Sequence, residues 1–489
     1  MQAESKLLVM KFGGTSVGTV EAMAQAVQII QQTRQDWPRL VVITSALSGV
    51  TDLLIQSALH AARGDKSVFN QTVSELNDRH HNLIDGLVGE ADRKQRADQE
   101  ISQLIEEFSN LCQAIFVLGE ATPRALDAVA GLGERLSVRI LAAAAQDRHI
   151  PSQVVESTQL IVTDDHYQNA LPDPAATKLR ARQVLEPLLA SGCVPITTGF
   201  LAATPAGVTT TLGRGGSDYS AAILGVALQA AEVWIWTDVD GVMTADPRLV
   251  PDARTIPVIS YREVAEMSHY GAKVLHPKSI HPVISQGIVL RVLNTFNLAN
   301  SGTRVEADQD ARDAKYANGL GTIKAVTAIR GLQLVTVAGA GMIGVPGVAG
   351  RIFSAVASTG ISVPLIIQST SEQTVCFAVA KESIPEVLRA LELHLAQEFQ
   401  RGDIDRVFAS EDVGVITVIC PGMRTTPGIA GKIFNRLGSA DINILGTTFG
   451  TSEVSINLIL SAEDIQVALR ALHTLIPAGE GNRSPAAEA

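Results

Sequence analysis

Residues 7–16 read LLVMKFGGTS, an apolar run of strand length that passes into Lys11, then into the pair Gly13 and Gly14, then into Thr15 and Ser16. The lysine precedes the glycines. In a Walker-type loop it follows them and opens the helix, so that loop is excluded. What remains is a strand end whose glycine amides can turn toward an anion beside two hydroxyls, with a helix expected from about Val20. Taken alone, the segment reads equally well as a phosphate cradle or as a plain strand-to-helix turn with a solvated lysine.

The surrounding composition narrows the setting. A chain of 489 residues suggests about three domains. Hydrophobic content of 46% with only 4% aromatic residues fits an Ala/Val/Leu/Ile-rich α/β protein. A formal net charge of -11 opposes nucleic acid or an anionic membrane as the main partner, since both are held by excess Lys and Arg. Cys112, Cys193, Cys376 and Cys420 are scattered, never reach metal-ligand spacing, and read as reduced core residues. Lys11 and two glycines interrupt the only candidate for a leader, and no apolar run is long enough to span a bilayer, so a cytoplasmic enzyme is expected.

Up to residue 298, short β-branched runs alternate with Ala-rich helical stretches, the rhythm of a parallel sheet covered by helices. Residues 52–118 break that rhythm with long polar helices that read as an insertion on the sheet. Residues 299–321 read as a linker. Beyond it lies an internal repeat. Residues 334–379 match 415–460 without a gap, with about a third identical, each copy reading strand, Gly-Met, Pro-Gly-x-Ala-Gly, helix, strand, Thr-Ser-Glu, strand. The expected partition is therefore a catalytic domain over 1–298, paired small domains over 322–400 and 401–476, and a frayed tail over 477–489. Gly339, Gly341 and Gly344 spell the dinucleotide fingerprint, but no acidic residue stands about 20 positions on, and the context is a short repeat rather than a βαβ unit. Those glycines are read as part of a turn shared by the repeat.

The segment TTTLGRGGSD at 209–218 sets Arg214 among glycines, where backbone can approach a ligand while the guanidinium presents a planar fork to a carboxylate; Ser217 and Asp218 open the next helix. SALSGVT at 45–51 follows the second strand with the same mix of hydroxyls and glycine, at the sheet edge where ligands of open α/β sheets collect. Glu134, near a helix start, serves either to stabilise that start or to bind an ammonium. Thr237 and Asp238 end another strand, and Arg248 and Lys273 lie beside proline or glycine farther on. Two lysines and two arginines at glycine- or proline-rich loops of an acidic chain point to a polyanionic substrate such as a nucleoside triphosphate. Nothing has the order of a Ser/His/Asp hydrolase or a zinc enzyme.

Together, KFGGTS at 11–16, SALSGVT at 45–51, GERLS at 133–137, TLGRGGSDYSAA at 211–222, WTDVDGVMTADPR at 236–248 and GAKVLHP at 271–277 resemble the aspartate kinase family over nearly the whole chain. The resemblance implies an amino-acid kinase fold, α/β with a mostly parallel central sheet sandwiched by helices, followed by two ferredoxin-like βαββαβ ACT domains. It implies ATP-dependent phosphorylation of the aspartate side-chain carboxylate, the first step of lysine, threonine and methionine biosynthesis, with Mg2+ arriving on ATP. Lys11 and Lys273, helped by the amides of Gly13 and Gly14, stabilise the transferring phosphoryl group. Arg214 grips the α-carboxylate of aspartate, Glu134 its ammonium, and Ser45, Thr51 and Ser217 the rest. Lys11, Gly14, Thr237, Asp238, Met243, Arg248 and Lys273 fall in nucleotide-binding segments, Met243 where lysine-sensitive members often carry tyrosine. Asp218 is the nearest carboxylate for a metal. Met342, Val348, Ser362, Val363 and Gln368 fall at the effector pocket of the first ACT domain, where Pro364 in place of an aspartate and Gln368 favour threonine over lysine. A homo-oligomer through the ACT domains is implied. A glutamate kinase and a non-catalytic amino-acid sensor remain as alternatives.

Overall fold

The computed structural model describes residues 6–269, 275, 277–307, 322–369, 371, 373–423, 425–449 and 454–477. It divides into two units. The first comprises Met1–Val242, Thr255–Val264 and Lys273–Asp308, and the second Met243–Arg254, Ala265–Ala272 and Gln309–Ala489.

The opening apolar run is the strand β1 (Leu7–Phe12), buried at every position. It is followed by α1 (Val20–Asp36), β2 (Arg39–Thr44), α2 (Val50–Ala62), α3 (Lys66–Leu87), α4 (Ala91–Leu118), α5 (Pro123–Ala130), α6 (Leu132–Asp147), β3 (Ser152–Val155), α7 (Pro174–Ala190), β4 (Val194–Thr198), β5 (Leu201–Ala203), β6 (Thr209–Thr211), α8 (Gly216–Ala227), β7 (Glu232–Thr237), β8 (Val258–Ser260), α9 (Tyr261–His269), α10 (Pro277–Gln286), β9 (Val289–Asn294) and β10 (Thr303–Glu306). Eight strands form one sheet in the order β3-β4-β2-β1-β7-β9-β10-β8, with β5 and β6 a separate hairpin. All its pairings are parallel except β9 with β10. A continuous apolar run suits β1 because it is flanked by parallel neighbours and covered on its faces. The helices α2, α3 and α4 account for the polar stretch at 52–118; their apolar stripes, carrying Leu54, Phe69, Leu76, Leu83 and Phe108, join the same core as Leu8, Met10 and Phe12 of β1.

The first sheet extends past the expected boundary at 298. Thr303 and Val305 of β10 are buried and Arg304 is exposed, a period-2 alternation too short and too polar to stand out within a linker-like sequence. Residues 308–321 of that linker lie outside the described residues, as do 478–489 of the expected tail.

The second unit is built on β11 (Ala325–Ala338), α11 (Val348–Ala357), β12 (Leu365–Gln368), β13 (Thr374–Ala380), α12 (Ile384–His394), α13 (Ala396–Arg401), β14 (Arg406–Ile419), α14 (Ile429–Gly438), β15 (Gly446–Phe449), β16 (Ser455–Ser461) and α15 (Ile465–His473). Its six strands form one antiparallel sheet, β12-β13-β11-β14-β16-β15. The two repeats interleave in it. The start of β11, Ala325 to Ile329, pairs with Ile419 to Val415 of the second repeat, and the start of β14, Arg406 to Ala409, pairs with Ala338 to Val335 of the first. Each repeat thus takes its fourth strand from sequence adjoining the other, so the sheet does not divide at the boundary of the 322–400 and 401–476 spans.

Two of the three glycines that spell the dinucleotide fingerprint, Gly339 and Gly341, have a packing explanation. A Cβ on Gly339 would lie 2.2 Å from the Asp403 carbonyl oxygen, and one on Gly341 2.3 Å from that of Gly402. Close backbone approach excludes any larger residue there.

Candidate active site

The carboxyl ends of β1 and β2 and the first turns of α6 and α8 surround a cavity of about 330 Å³, the size of a small polar metabolite. Lys11, Gly14, Ser45, Thr51, Glu134, Ser217 and Asp218 all line it, so residues drawn from four of the six motifs meet in one place. The loops that follow β1 and β2 touch backbone to backbone: a Cβ on Gly14 would lie 2.8 Å from the Ala46 carbonyl oxygen. Lys11, 8% exposed although it sits in a buried strand, forms an ion pair of 2.6 Å with Asp218 from the first turn of α8. Gly215, not Ser217, is the N-cap of α8 and makes no side-chain cap bond; Ser217 is left facing the cavity.

Glu134 is 3% exposed, and its Oε2 has no hydrogen-bond partner among the described residues. Burial pushes its carboxyl up to about 8, opposed by the Ala46 amide, its own backbone amide and the charge of Lys11. A buried acid with an unsatisfied oxygen on a cavity wall is primed for a donor that brings positive charge.

Other expected residues fall differently. Gly13 does not offer its amide to an anion: that N–H donates to the Trp236 carbonyl at 3.0 Å, prolonging the ladder between β1 and β7. Arg214 is exposed and does not line the cavity, whereas Gly213 and Gly215 on either side of it do. Thr237 ends β7 and Asp238 follows it, the two joined by a hydrogen bond of 3.1 Å, and neither lines the cavity. Met243 and Arg248 belong to the second unit, where the Arg248 guanidinium is engaged by Asp246 at 2.7 Å. Lys273 lies outside the described residues.

Among the lining residues that sequence did not single out are Ser48, Asp52 and Phe200. Ser48 stands inside SALSGVT and Asp52 directly after it, so the motif was in view but its polar side chains are too many to rank. Phe200 follows Gly199 at the end of β4 with φ of 63°, a left-handed conformation costly for an aromatic residue. A bulky residue held there has no sequence signal beyond the preceding glycine.

In the second unit, Met342, Val348 and Gln368 line a cavity of about 310 Å³ with Val345, Pro346 and Val375. Ser362 and Val363 are not in its lining; Val363 packs against the apolar core of the first repeat instead. Among the described residues no carboxylate lines this cavity; Glu372, between Gln368 and Val375 in sequence, lies outside them.

Residues 6–294 match the Amino acid kinase family, and residues 335–395 and 416–475 match the ACT domain. The chain is 33% identical to the aspartokinase of Thermus thermophilus over 96% of its own length and 98% of that protein. It is 36% identical to the chloroplastic bifunctional aspartokinase/homoserine dehydrogenase 1 of Zea mays, covering 95% of this chain and 50% of that protein. The chain thus spans about half the length of the bifunctional relatives it matches. Among solved structures it resembles E. coli aspartokinase III in complex with aspartate and ADP, at 28% identity and a TM-score of 0.79, covering 96% of this chain and 99% of that one. The same enzyme with lysine and aspartate gives 29% identity and a TM-score of 0.75 at the same coverage. The chain belongs to the amino acid kinase family and, within it, to the aspartokinases with paired ACT domains.

Proposed function

We propose that this protein phosphorylates the side-chain carboxylate of L-aspartate with ATP, giving 4-phospho-L-aspartate and ADP, under feedback control by threonine or lysine. The observation that carries the reading is the cavity joining Lys11 and the hydroxyls of Ser45, Thr51 and Ser217 to a buried Glu134 with an unsatisfied oxygen. A zwitterionic substrate needs an anion for its ammonium and donors for its carboxylates at fixed separation. Glu134 supplies the first, and Arg214 beside the cavity supplies the strongest of the second.

The β-carboxylate is ionised at pH 7 and needs no general base. Its oxygen bonds to the γ-phosphorus while the bond to the β-γ bridging oxygen breaks and ADP leaves with that electron pair. Lys11 neutralises charge on the transferring group, exchanging its contact with Asp218 for one with phosphate oxygens. Lys273 is proposed as the second cation, and Gly14, Thr237, Asp238, Met243 and Arg248 as nucleotide contacts. Magnesium is proposed to arrive on ATP and to be held mainly by its phosphates, with Asp218 as the protein carboxylate. When bound, magnesium offsets the phosphate charge.

The second cavity, with Met342, Val348 and Gln368, is proposed to take the effector. Its described lining, apolar but for the neutral amide of Gln368, is in keeping with the uncharged side chain of threonine, whereas the solved E. coli relative binds lysine. Pairing of two copies through the ACT sheet is in keeping with exposed Ile366 and Phe449 on its edge strands β12 and β15. The four cysteines form no disulfide, which suits a reducing compartment such as the cytoplasm, and no described helix is long and apolar enough to cross a membrane. The test is ADP release measured with aspartate, with glutamate and with neither, then repeated with threonine and with lysine. Aspartate-dependent release supports the reading; equal rates with and without aspartate overturn it.

A further inference from the structure

Asp127, near the end of α5, is 1% exposed, yet it does not line the cavity. It acts only as an acceptor. Its carboxylate receives the Gln168 amide on both oxygens at 3.0 Å, the Thr211 amide at 3.0 Å and the Thr211 hydroxyl at 2.8 Å. Thr211 ends β6 immediately before the Leu212, Gly213, Arg214, Gly215 loop, and its own carbonyl accepts the Ala170 amide at 2.9 Å. One buried carboxylate therefore joins the segment around Gln168 to the strand that launches the arginine loop.

The loop is held at two further points. Gly213 has φ of 77°, and a Cβ there would lie 2.9 Å from Asn169 Oδ1 and 3.0 Å from the Gln168 carbonyl oxygen. Asn169 Oδ1 in turn accepts Lys278 Nζ from α10 at 2.6 Å. The Ser279 hydroxyl donates to the Gly215 carbonyl at 3.0 Å. The loop that carries Arg214 and starts α8 thus rests against the segment Asp127 fixes, while Arg214 itself is exposed and makes no hydrogen bond or ion pair among the described residues. An arginine that does not anchor its own loop depends on that backbone for its aim.

We propose that Asp127 is a positioning residue for recognition of the aspartate α-carboxylate: it sets the Gly213 to Gly215 loop so that Arg214 and Ser217 present their donors at a fixed separation from Glu134. The inference rests on the aspartate kinase reading. Asp127→Asn is the informative change, because it is nearly isosteric but turns one acceptor into an NH2 group that must face a donor, leaving a buried clash of donors.

The test is steady-state kinetics with aspartate and ATP varied separately, on wild type, Asp127→Asn, Thr211→Val, Arg214→Ala and the Asp127→Asn/Arg214→Ala pair. For Asp127→Asn the expected result is an aspartate KM raised about tenfold or more, the scale of one hydrogen bond to a charged group, with kcat and the ATP KM nearly unchanged. In the double variant Asp127→Asn adds little to the aspartate KM, because the group it aims is already gone. A loss confined to kcat, an equal rise in both KM values, or full additivity with Arg214→Ala overturns the proposal. If Asp127→Asn does not fold, Thr211→Val, which removes one of the donors and leaves the backbone bonds, carries the same test with a smaller rise in aspartate KM expected. A wild-type chain without aspartate-dependent turnover overturns the kinase reading and this inference with it; an active wild type whose variants lack the split overturns the inference alone.

Discussion

Glu134 sets a pH dependence that can be worked out in advance. Burial raises its carboxyl from 4.5 to about 8, so at pH 7 it is protonated in the empty site by about ten to one. A substrate ammonium is best met by the ionised form. Aspartate binding at pH 7 therefore releases close to one proton, and the aspartate Kd falls about tenfold per pH unit from pH 6 towards 8, then levels off. The amino acid's own groups keep one charge state across that range. The γ-phosphate of ATP does not, so binding is measured by calorimetry without nucleotide, in two buffers of different ionisation enthalpy. Glu134→Gln imitates the neutral acid: it weakens binding by about one to two orders of magnitude at pH 8.5, converges on wild type at pH 6, and abolishes both the slope and the proton release. Stability follows the same linkage with the opposite sense for the empty protein. Because the folded pKa lies above the unfolded value, the native state holds the extra proton between about 4.5 and 8, and stability declines as pH rises through that window. Glu134→Gln escapes that decline. A wild-type affinity flat from pH 6 to 8, or a slope that persists in Glu134→Gln, refutes the assignment of Glu134 to the ammonium.

Three further outcomes are expected. Lys11→Ala lowers kcat by at least two orders of magnitude with a small change in aspartate KM, since Lys11 acts on charge that develops in transfer, whereas Arg214→Ala mainly raises KM; steady-state kinetics with the opposite pattern mean that the two roles are exchanged. Gly339→Ala sets a Cβ 2.2 Å from the Asp403 carbonyl oxygen, so the backbone must shift at a cost of about 1–3 kcal/mol, and a calorimetric scan shows one lowered transition; an unshifted scan contradicts the close approach. Gln368→Ala raises the effector concentration for half-inhibition about tenfold, read from inhibition curves with threonine and with lysine; unchanged curves for both place the effector elsewhere.

Much of the site was legible because its chemistry is local in sequence. Lys11, Ser45, Thr51, Glu134, Ser217 and Asp218 each stand at the end of a strand or the start of a helix marked by glycine, and a parallel sheet brings such ends to one edge. What stayed hidden depends on partners distant in sequence. That the Gly13 amide turns to Trp236 rather than to an anion follows from the pairing of β1 with β7, more than 200 positions away. Asp127 looks like an ordinary helical residue until the hairpin carrying Thr211 folds onto it. The same reason conceals the interleaving of the repeats: alternation identifies β11 and β14 as strands, but their pairing across both repeats is a matter of register.

The most direct measurement is of the product itself. The protein is incubated with ATP, magnesium and L-aspartate, the mixture is reduced with borohydride, and the amino acids are separated. A phosphoryl group on the side-chain carboxylate makes that carbon reducible, so homoserine is expected in amounts matching the ADP formed, absent without ATP and lost with Lys11→Ala. ADP formed with no homoserine, or equal reduced product from glutamate, contradicts the aspartate kinase reading.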